Sequence, residues 1–173
     1  MKEINISRFS SRCTVRRMTL EDIDTVFDLL IENQPYFLCC GSQPTKESVQ
    51  SDLTVGPPGI PAEQKYYLGF FRDNTLLAVT DLIDGYPEDR FAFIGFFMLR
   101  LSAQGAGEGS RLIGEMLSHL QALGYEAVRL GIDKNNTNGI RFWTKNGFEI
   151  LKEIVREDST VLYAERKFRT GDS

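Results

Sequence analysis

A dense apolar run stands near the middle of the chain, at Phe91–Leu99 (FAFIGFFML). It is far shorter than the roughly 20 residues that a bilayer-spanning helix needs, so it predicts a strand buried on both faces. Residues 104–109 follow, with glycine at three alternate positions. Apolar residues then recur at helical spacing from Leu112 to Leu123. The pattern therefore predicts a strand, a glycine-rich turn and an amphipathic helix.

The glycine-rich turn opens directly onto the N-terminus of the predicted helix. Unpaired N–H groups and the positive end of the helix dipole make such a place suited to a phosphate or pyrophosphate. A P-loop would need a lysine in the turn, and none is present. A dinucleotide fingerprint would need a third glycine where Ser110 stands, and an early βαβ unit. A glycine turn without a ligand is the alternative interpretation.

Alternation and turn residues predict the other elements on either side of this centre. We expect strands at 15–18, 66–71, 76–83, 127–132, 148–155 and 161–168, and helices at 20–30, after Pro44, and around 140–145. Residues 34–38 and 55–64 are predicted to be loops. The first loop is unusually apolar, so its aromatic residues either line a pocket or simply pack.

Composition narrows the class of protein. A chain of 173 residues with 42% hydrophobic and 25% charged residues suits one globular domain, which we expect to span residues 1–173. The net charge of −4 and the pI near 5.1 argue against a nucleic acid or an anionic membrane as the main partner. The N-terminus carries no apolar leader segment, so we expect a cytoplasmic protein. Three cysteines, two of them adjacent, suggest neither a disulfide framework nor a metal site.

Two motifs resemble the hallmarks of the GNAT superfamily, the acetyl-CoA-dependent N-acetyltransferases. Gln104-x-x-Gly107-x-Gly109 is similar to its Gln/Arg-x-x-Gly-x-Gly/Ala signature, and the segment 136–148 (NTNGIRFWTKNGF) is similar to its second hallmark. The resemblance implies an α/β fold with a mixed, largely antiparallel sheet flanked by helices. In that fold, the strands ending near Leu99 and Ile132 splay apart and hold acetyl-CoA, the co-substrate, between them.

The resemblance also implies a place for each part of the coenzyme. The expected positions are the backbone of Phe97, Met98 and Leu99 for the pantetheine amides, and the N–H groups of Gln104, Gly105, Ala106, Gly107, Glu108, Gly109 and Ser110 for the pyrophosphate. Asn136 would bond the pantetheine arm, or be only a helix cap, or do both. Arg100, Arg111, Lys134, Arg141 and Lys145 are candidates for the 3′-phosphate. Trp143 is either a wall of the acyl tunnel or part of the core.

In this family an amine attacks the thioester carbonyl directly, so no enzyme nucleophile is needed. A free alkylamine with a pKa of about 10.4 is neutral only about once in a few thousand molecules at pH 7, so a group must take its proton. The predicted central strand contains no carboxylate, so our candidates for the general base are Asp81 and Asp84 on the preceding strand, and Glu88 or Asp89 in the turn after it. Each is otherwise a turn-forming or surface charge. Trp143 occupies the position of the family's usual tyrosine acid, and an indole N–H cannot serve as such an acid.

The sequence therefore predicts an N-acetyltransferase that moves an acetyl group from acetyl-CoA to a primary amine of a small molecule or peptide. A catalytically weak CoA-binding sensor or regulatory module is the alternative, and a plain interaction domain is the third. We expect no nucleic-acid or membrane partner. A homodimer is one oligomeric state that the sequence allows.

Overall fold

The computed structural model describes residues 2–169, which build one seven-stranded sheet. The strands are β1 (Thr14–Arg17), β2 (Lys65–Arg72), β3 (Thr75–Asp84), β4 (Phe91–Leu99), β5 (Ala127–Asp133), β6 (Glu149–Val155) and β7 (Thr160–Lys167). They lie in the order β1-β2-β3-β4-β5-β7-β6, and every neighbouring pair is antiparallel except β4 and β5. The expected mixed, largely antiparallel sheet is confirmed.

Five α-helices flank the sheet. They are α1 (Ile23–Glu32), α2 (Gln34–Cys40), α3 (Lys46–Thr54), α4 (Glu108–Ala122) and α5 (Thr137–Lys145). Within residues 2–169, no helix combines the length and the apolar character that crossing a membrane requires. The prediction of a loop at 34–38 was wrong, because these residues lie in α2. Pro35 sits in the first turn of this helix, where its missing N–H costs nothing, and seven residues are too few to reveal a helical period.

Each face of the sheet carries its own core, because alternate residues of a strand point to opposite faces. Ala78 of β3 belongs to the cluster that packs against α4, and the next residue, Val79, belongs to the cluster that packs against α1 and α3. We call these two sides the α4 face and the α1–α3 face. Ile113 of α4 and Leu29 of α1 are fully buried, so both faces are covered by helices at the centre of the sheet.

The parallel pair β4 and β5 is joined over only part of its length. Phe91–Ile94 pair with Ala127–Leu130, and beyond this point the two strands have no register. On the other side of β4, Ile94 lies opposite Leu82 and Phe96 lies opposite Asp81, which leaves Gly95 as a bulge without a partner. A bulge bends its strand. The carboxyl half of β4 therefore turns away from β5, and a gap opens between the two strands.

Candidate functional site

A cleft of about 620 Å³ occupies the gap between β4 and β5. Its walls come from the carboxyl halves of both strands, the glycine turn, the first turn of α4, one side of α5 along its whole length, and α2. This volume falls in the range of small-molecule sites. The position also fits the general rule that ligands bind at the carboxyl ends of parallel strands.

The β4 wall contains all three residues that the sequence assigned to it, Phe97, Met98 and Leu99. They pair with β3 on one side and have no strand partner on the β5 side. Backbone polar groups that a strand leaves unpaired are available to a ligand. The carbonyl of Leu99 is already occupied, because it accepts a hydrogen bond from Nε2 of Gln104 at 2.9 Å.

The glycine turn leaves the N-terminus of α4 open. Gly105 and Gly107 have φ values of +85° and +80°, which glycine adopts without strain, and no side chain caps the helix. The N–H groups of the first helical turn have no partner inside the helix. A Cβ on Gly109 would lie 3.2 Å from the ring of Phe142, a tight contact, so glycine favours the close approach of α4 and α5. These features fit a phosphate group.

The predicted turn residues divide into two groups. Gln104, Gly105, Gly107, Gly109 and Ser110 line the cleft, whereas Ala106 and Glu108 are not part of its lining. The carboxylate of Glu108 instead pairs with Arg72, and with Arg111 at 2.9 Å. Two guanidinium groups therefore neutralise the one acidic side chain at this helix N-terminus. That matters because an unpaired carboxylate there would oppose an anionic ligand.

The side chain of Gln104 has a structural role in addition to its place in the lining. Its Nε2 donates to Oδ1 of Asn33 at 2.8 Å, and Asn33 in turn donates to the carbonyl of Leu29 at 2.9 Å. Asn33 is 3% exposed, so the Asn33 end of this amide chain is buried, whereas Gln104 stays exposed. It fixes the glycine turn against both the end of α1 and the end of β4.

Asn136 caps α5, which answers one of the two alternatives that the sequence left open. Its Oδ1 accepts a hydrogen bond from the N–H of Gly139 at 2.9 Å. Asn136 also lines the cleft, and its Nδ2 has no hydrogen-bond partner within residues 2–169. The cap fixes the rotamer of the side chain and leaves the amide donor available to a ligand.

Trp143 forms part of the α5 wall of the cleft. Its ring meets Phe97, Phe142 and Phe148 edge-on at centroid distances of 6.1, 4.9 and 5.1 Å. Phe97 and Phe142 stack in parallel at 6.0 Å. This aromatic group joins β4 to α5 and gives the cleft an apolar surface.

The five basic residues that were candidates for the 3′-phosphate fall into two groups. Arg141 and Lys145 line the cleft from α5, and neither is in an ion pair within the described part of the chain. The other three are engaged elsewhere: Arg100 with the carbonyl of Leu76, Arg111 with Glu108, and Lys134 with Glu153. The structure therefore leaves Arg141 and Lys145 available for a phosphate.

The two aspartates proposed as general base lie in different places. Asp81 is not itself a cleft-lining residue, but it lies beside Gly95, which is. Its Oδ2 lies 2.7 Å from Nζ of Lys65 and 3.1 Å from where a Cβ on Gly95 would be. Burial raises the pKa of Asp81, and Lys65 opposes that rise. Asp84 is 3% exposed, accepts a hydrogen bond from the hydroxyl of Tyr125, and lies opposite Ala92 where β4 and β5 are still paired. The structure does not bring Asp84 to the cleft.

Sequence reasoning missed one carboxylate of the cleft, Asp133. It is the last residue of β5 and lines the cleft next to Ile132. The signal was present, because a polar residue directly after a buried parallel strand lies at the edge of the sheet where ligands bind. Tyr36 also lines the cleft, so the pocket-lining interpretation of the apolar segment 34–38 holds for this residue.

A family model described as the acetyltransferase (GNAT) family matches residues 26–148. The chain belongs to the GNAT acetyltransferase family. The matched part of this GNAT chain begins in α1 and ends just before β6, so it includes the glycine turn, Asn136 and both walls of the cleft. A sequence search of curated proteins gave no match.

Solved structures share the fold of this GNAT chain. An acetyltransferase from Thermus thermophilus has a TM-score of 0.73 and 20% identity, with 90% of this chain and 97% of that chain covered. The PaiA N-acetyltransferase from Thermoplasma acidophilum, in complex with coenzyme A, has a TM-score of 0.66 and 19% identity, with 90% of this chain and 99% of that chain covered. An aminoglycoside acetyltransferase in complex with coenzyme A has a TM-score of 0.70 and 18% identity, with 90% of this chain and 94% of that chain covered. The GNAT chain thus spans nearly the whole length of each.

Proposed function

We propose that this GNAT protein is an N-acetyltransferase that moves an acetyl group from acetyl-CoA to a primary amine of a small molecule or peptide. The observation that carries the proposal is the gap between β4 and β5, which opens beside the uncapped N-terminus of α4. An elongated ligand with a phosphate at one end and an acyl group at the other matches the two ends of this cleft.

The residues present fit acetyl-CoA on three counts. The unpaired N–H groups at the start of α4 suit a pyrophosphate, and Arg141 and Lys145 suit the 3′-phosphate. The free Nδ2 of Asn136 and the open edge of β4 suit the amides of a pantetheine arm. The structural neighbours crystallised with coenzyme A or acetyl-CoA support the same ligand. The coenzyme supplies a thioester carbonyl that an amine can attack.

Asp81 is the base that we propose for the amine proton, acting directly or through water. Its side chain is 17% exposed and its Oδ1 is buried without a hydrogen-bond partner within residues 2–169. Burial raises its pKa, and a carboxylate of raised pKa is a better match for proton transfer near neutral pH. Gly95 keeps the approach to this carboxylate clear of a side chain.

The testing experiment is a screen of primary amines with acetyl-CoA, read as free thiol released. Release that depends on the amine, with mass spectrometry of the acetylated product, is the expected result. Coenzyme binding in a thermal shift without release for any amine would favour the alternative, a CoA-binding sensor or regulatory module. Neither binding nor release would overturn the proposal.

The acceptor class, the location, the partners and the oligomeric state remain predictions. The aminoglycoside acetyltransferase structure with ribostamycin concerns an amine-bearing small molecule, and it supports small-molecule amines as the first acceptors to screen. A cytoplasmic location and the absence of nucleic-acid and membrane partners are expected from the sequence. A homodimer is testable by light scattering, and the edge strand β6 exposes 42% of Ile150 and 79% of Val155, where a second copy would pack.

A further inference from the structure

Tyr36 of α2 lies at the gap where β4 and β5 part. Its ring meets Phe37 and Phe96 edge-on, at centroid distances of 4.9 and 6.0 Å, so it is held from α2 and β4 together. Asp133, the last residue of β5, lines the same cleft, and Sγ of Cys39 in α2 donates to the carbonyl of Asn135 just beyond it at 3.0 Å. Phe96 and Asp133 both point to the α1–α3 face. The tyrosine therefore covers the gap from that face.

The hydroxyl of Tyr36 is a free donor in the cleft. It makes no hydrogen bond within residues 2–169, and Tyr36 is the one tyrosine among the cleft-lining residues of this part of the chain. Three other polar side chains of the lining are already engaged. Asn33 and Gln104 bond one another, and Ser110 accepts from Asn146 at 3.2 Å. A half-buried phenol with its ring fixed by two aromatic contacts is a rigid donor.

The proposed reaction requires such a donor. As the amine nitrogen bonds to the thioester carbon, the C–S bond breaks and its electron pair moves to the sulfur. Negative charge therefore develops on the sulfur, and a fixed hydrogen-bond donor aimed at developing charge stabilises the transition state more than the ground state. The indole of Trp143 lies in an aromatic cluster on the other wall.

We infer that Tyr36 is a catalytic residue of the acetyl transfer, whose hydroxyl donates a hydrogen bond to the departing thiolate sulfur. The inference rests on the proposed function. Tyr36 keeps its proton throughout: the amine proton leaves through Asp81 or water, and the thiolate takes a proton from solvent after release. The N–C bond formed and the C–S bond broken then balance without another reactant.

The electrostatic surroundings of Tyr36 are consistent with this role. Burial, together with the nearby Cys40, Asp133 and Cys39, raises the pKa of Tyr36 to about 12. A free thiol has a pKa of about 8.5, so there is a range of pH, between this value and that of Tyr36, in which a coenzyme thiolate forms while the phenol keeps its proton. It can therefore donate a hydrogen bond and is a poor source of a transferred proton.

The test compares Tyr36→Phe with Tyr86→Phe. The first variant removes the hydroxyl and retains the ring that packs on Phe96. The second removes a hydroxyl from a half-buried tyrosine that packs on Phe93 outside the cleft lining, so it controls for loss of any phenol. With an amine that the wild type acetylates, Tyr36→Phe should lower kcat by about 10²-fold. Its melting temperature and coenzyme affinity should match the wild type, and Tyr86→Phe should retain full kcat.

A second measurement does not depend on turnover. The thiol of bound coenzyme A is titrated by the ultraviolet absorbance of its thiolate, with a coenzyme analogue that lacks sulfur as the blank for the protein's own cysteines. A hydrogen bond to the thiolate favours the charged form. The bound thiol should therefore have a lower pKa in the wild type than in Tyr36→Phe, by about one unit. Asp133, Cys39 and Cys40 are present in both proteins and cancel in the comparison.

The outcomes separate this inference from the proposed function. If coenzyme A binds and amines are acetylated, but Tyr36→Phe changes kcat less than threefold and leaves the thiol titration unchanged, the inference is wrong and the proposed function stands. A loss of rate that is matched by a loss of melting temperature, with an unchanged thiol titration, overturns it too. If the wild type neither binds coenzyme A nor acetylates an amine, the proposed function itself fails.

Discussion

The Oδ2 atom of Asp81 lies 3.1 Å from the position that a Cβ on Gly95 would occupy. Asp81 stands on β3 and Gly95 is the bulge residue of β4, so the bulge both opens the gap and uncovers the carboxylate beside it. If Asp81 takes the amine proton, Asp81→Asn should lower turnover at neutral pH by about 10²-fold or more. Part of the loss should return as the pH rises, because the amine then deprotonates unaided. A pH–rate profile of both proteins measures this.

Asp84→Asn is the matched control for that profile. It makes the same chemical change on the same strand, but Asp84 bonds Tyr125 outside the cleft. We expect lower stability and unchanged kcat in the fraction that remains folded. An equal loss of rate at every pH in Asp81→Asn would indicate positioning instead of proton transfer. Since Asp81→Asn also leaves the buried Lys65 without its ion pair, its melting temperature must be recorded alongside.

Gly107→Val should abolish the rise in melting temperature that coenzyme A produces by binding the native state. A side chain there would occupy the place of the pyrophosphate. Gly124→Val is the control, because Gly124 follows the other end of α4 with a φ of +87° against +80° for Gly107, and neither has a neighbour within 4 Å of an added Cβ. Both variants carry the same backbone strain, so only Gly107→Val should lose the coenzyme shift. A full shift in Gly107→Val would contradict the coenzyme site.

Trp143→Phe should stay within about threefold of wild-type turnover, because an indole N–H is not a proton-transferring acid and a phenyl ring retains most of the packing. Trp143→Ala should lose stability and coenzyme affinity together. Replacing a fully buried aromatic residue with alanine lowers the free energy of unfolding by about 3 to 5 kcal/mol. We expect a smaller loss here, because Trp143 is half-buried. Denaturant unfolding and calorimetric titration measure the two effects. A large loss of rate in Trp143→Phe at unchanged stability and affinity would give the indole a chemical role.

Asp22→Asn should destabilise the protein in a pH-dependent way. Asp22 accepts two hydrogen bonds from Arg16 at 2.9 Å and one from the N–H of Thr19, and these contacts lower its pKa below the ordinary value. A lowered folded-state pKa means that the stabilisation is present above the unfolded pKa and is lost as the pH falls through the folded value. We expect the variant to lose about 1.5 to 3 kcal/mol of unfolding free energy relative to the wild type at pH 7, and to lose less near pH 3.

The control for this prediction is Asp24→Asn. The side chain of Asp24 is 78% exposed and pairs with an exposed lysine, so its removal should change stability by less than about 1 kcal/mol. Urea unfolding at the two pH values gives both comparisons. An Asp22→Asn effect that is the same at pH 3 and pH 7 would show that packing, and not charge, explains the loss.

The sequence by itself determined the elements whose signals are local. The strand at Phe91–Leu99 was predicted with the bounds that the structure has, because a continuous apolar run between polar turns is a complete signal. The glycine turn before α4 was predicted for a similar reason: left-handed backbone at Gly105 and Gly107 requires glycine, and the amphipathic period starts directly after it. A cap of α5 was likewise one of the two roles that the sequence predicted for Asn136, and the structure shows that cap.

Only the tertiary structure decided which residues share the cleft. The bulge at Gly95 depends on the register of β4 against β3, and that register places Asp81 beside Gly95 of the cleft lining and Asp84 near Tyr125. Two aspartates three residues apart on one strand look alike in sequence, because their difference lies in partners that are distant along the chain. The same reason explains Tyr36 and Asp133. They stand far apart in the sequence, and they share the cleft because α2 contacts the segment that follows β5, where Cys39 bonds the carbonyl of Asn135, a packing relation that no local pattern encodes.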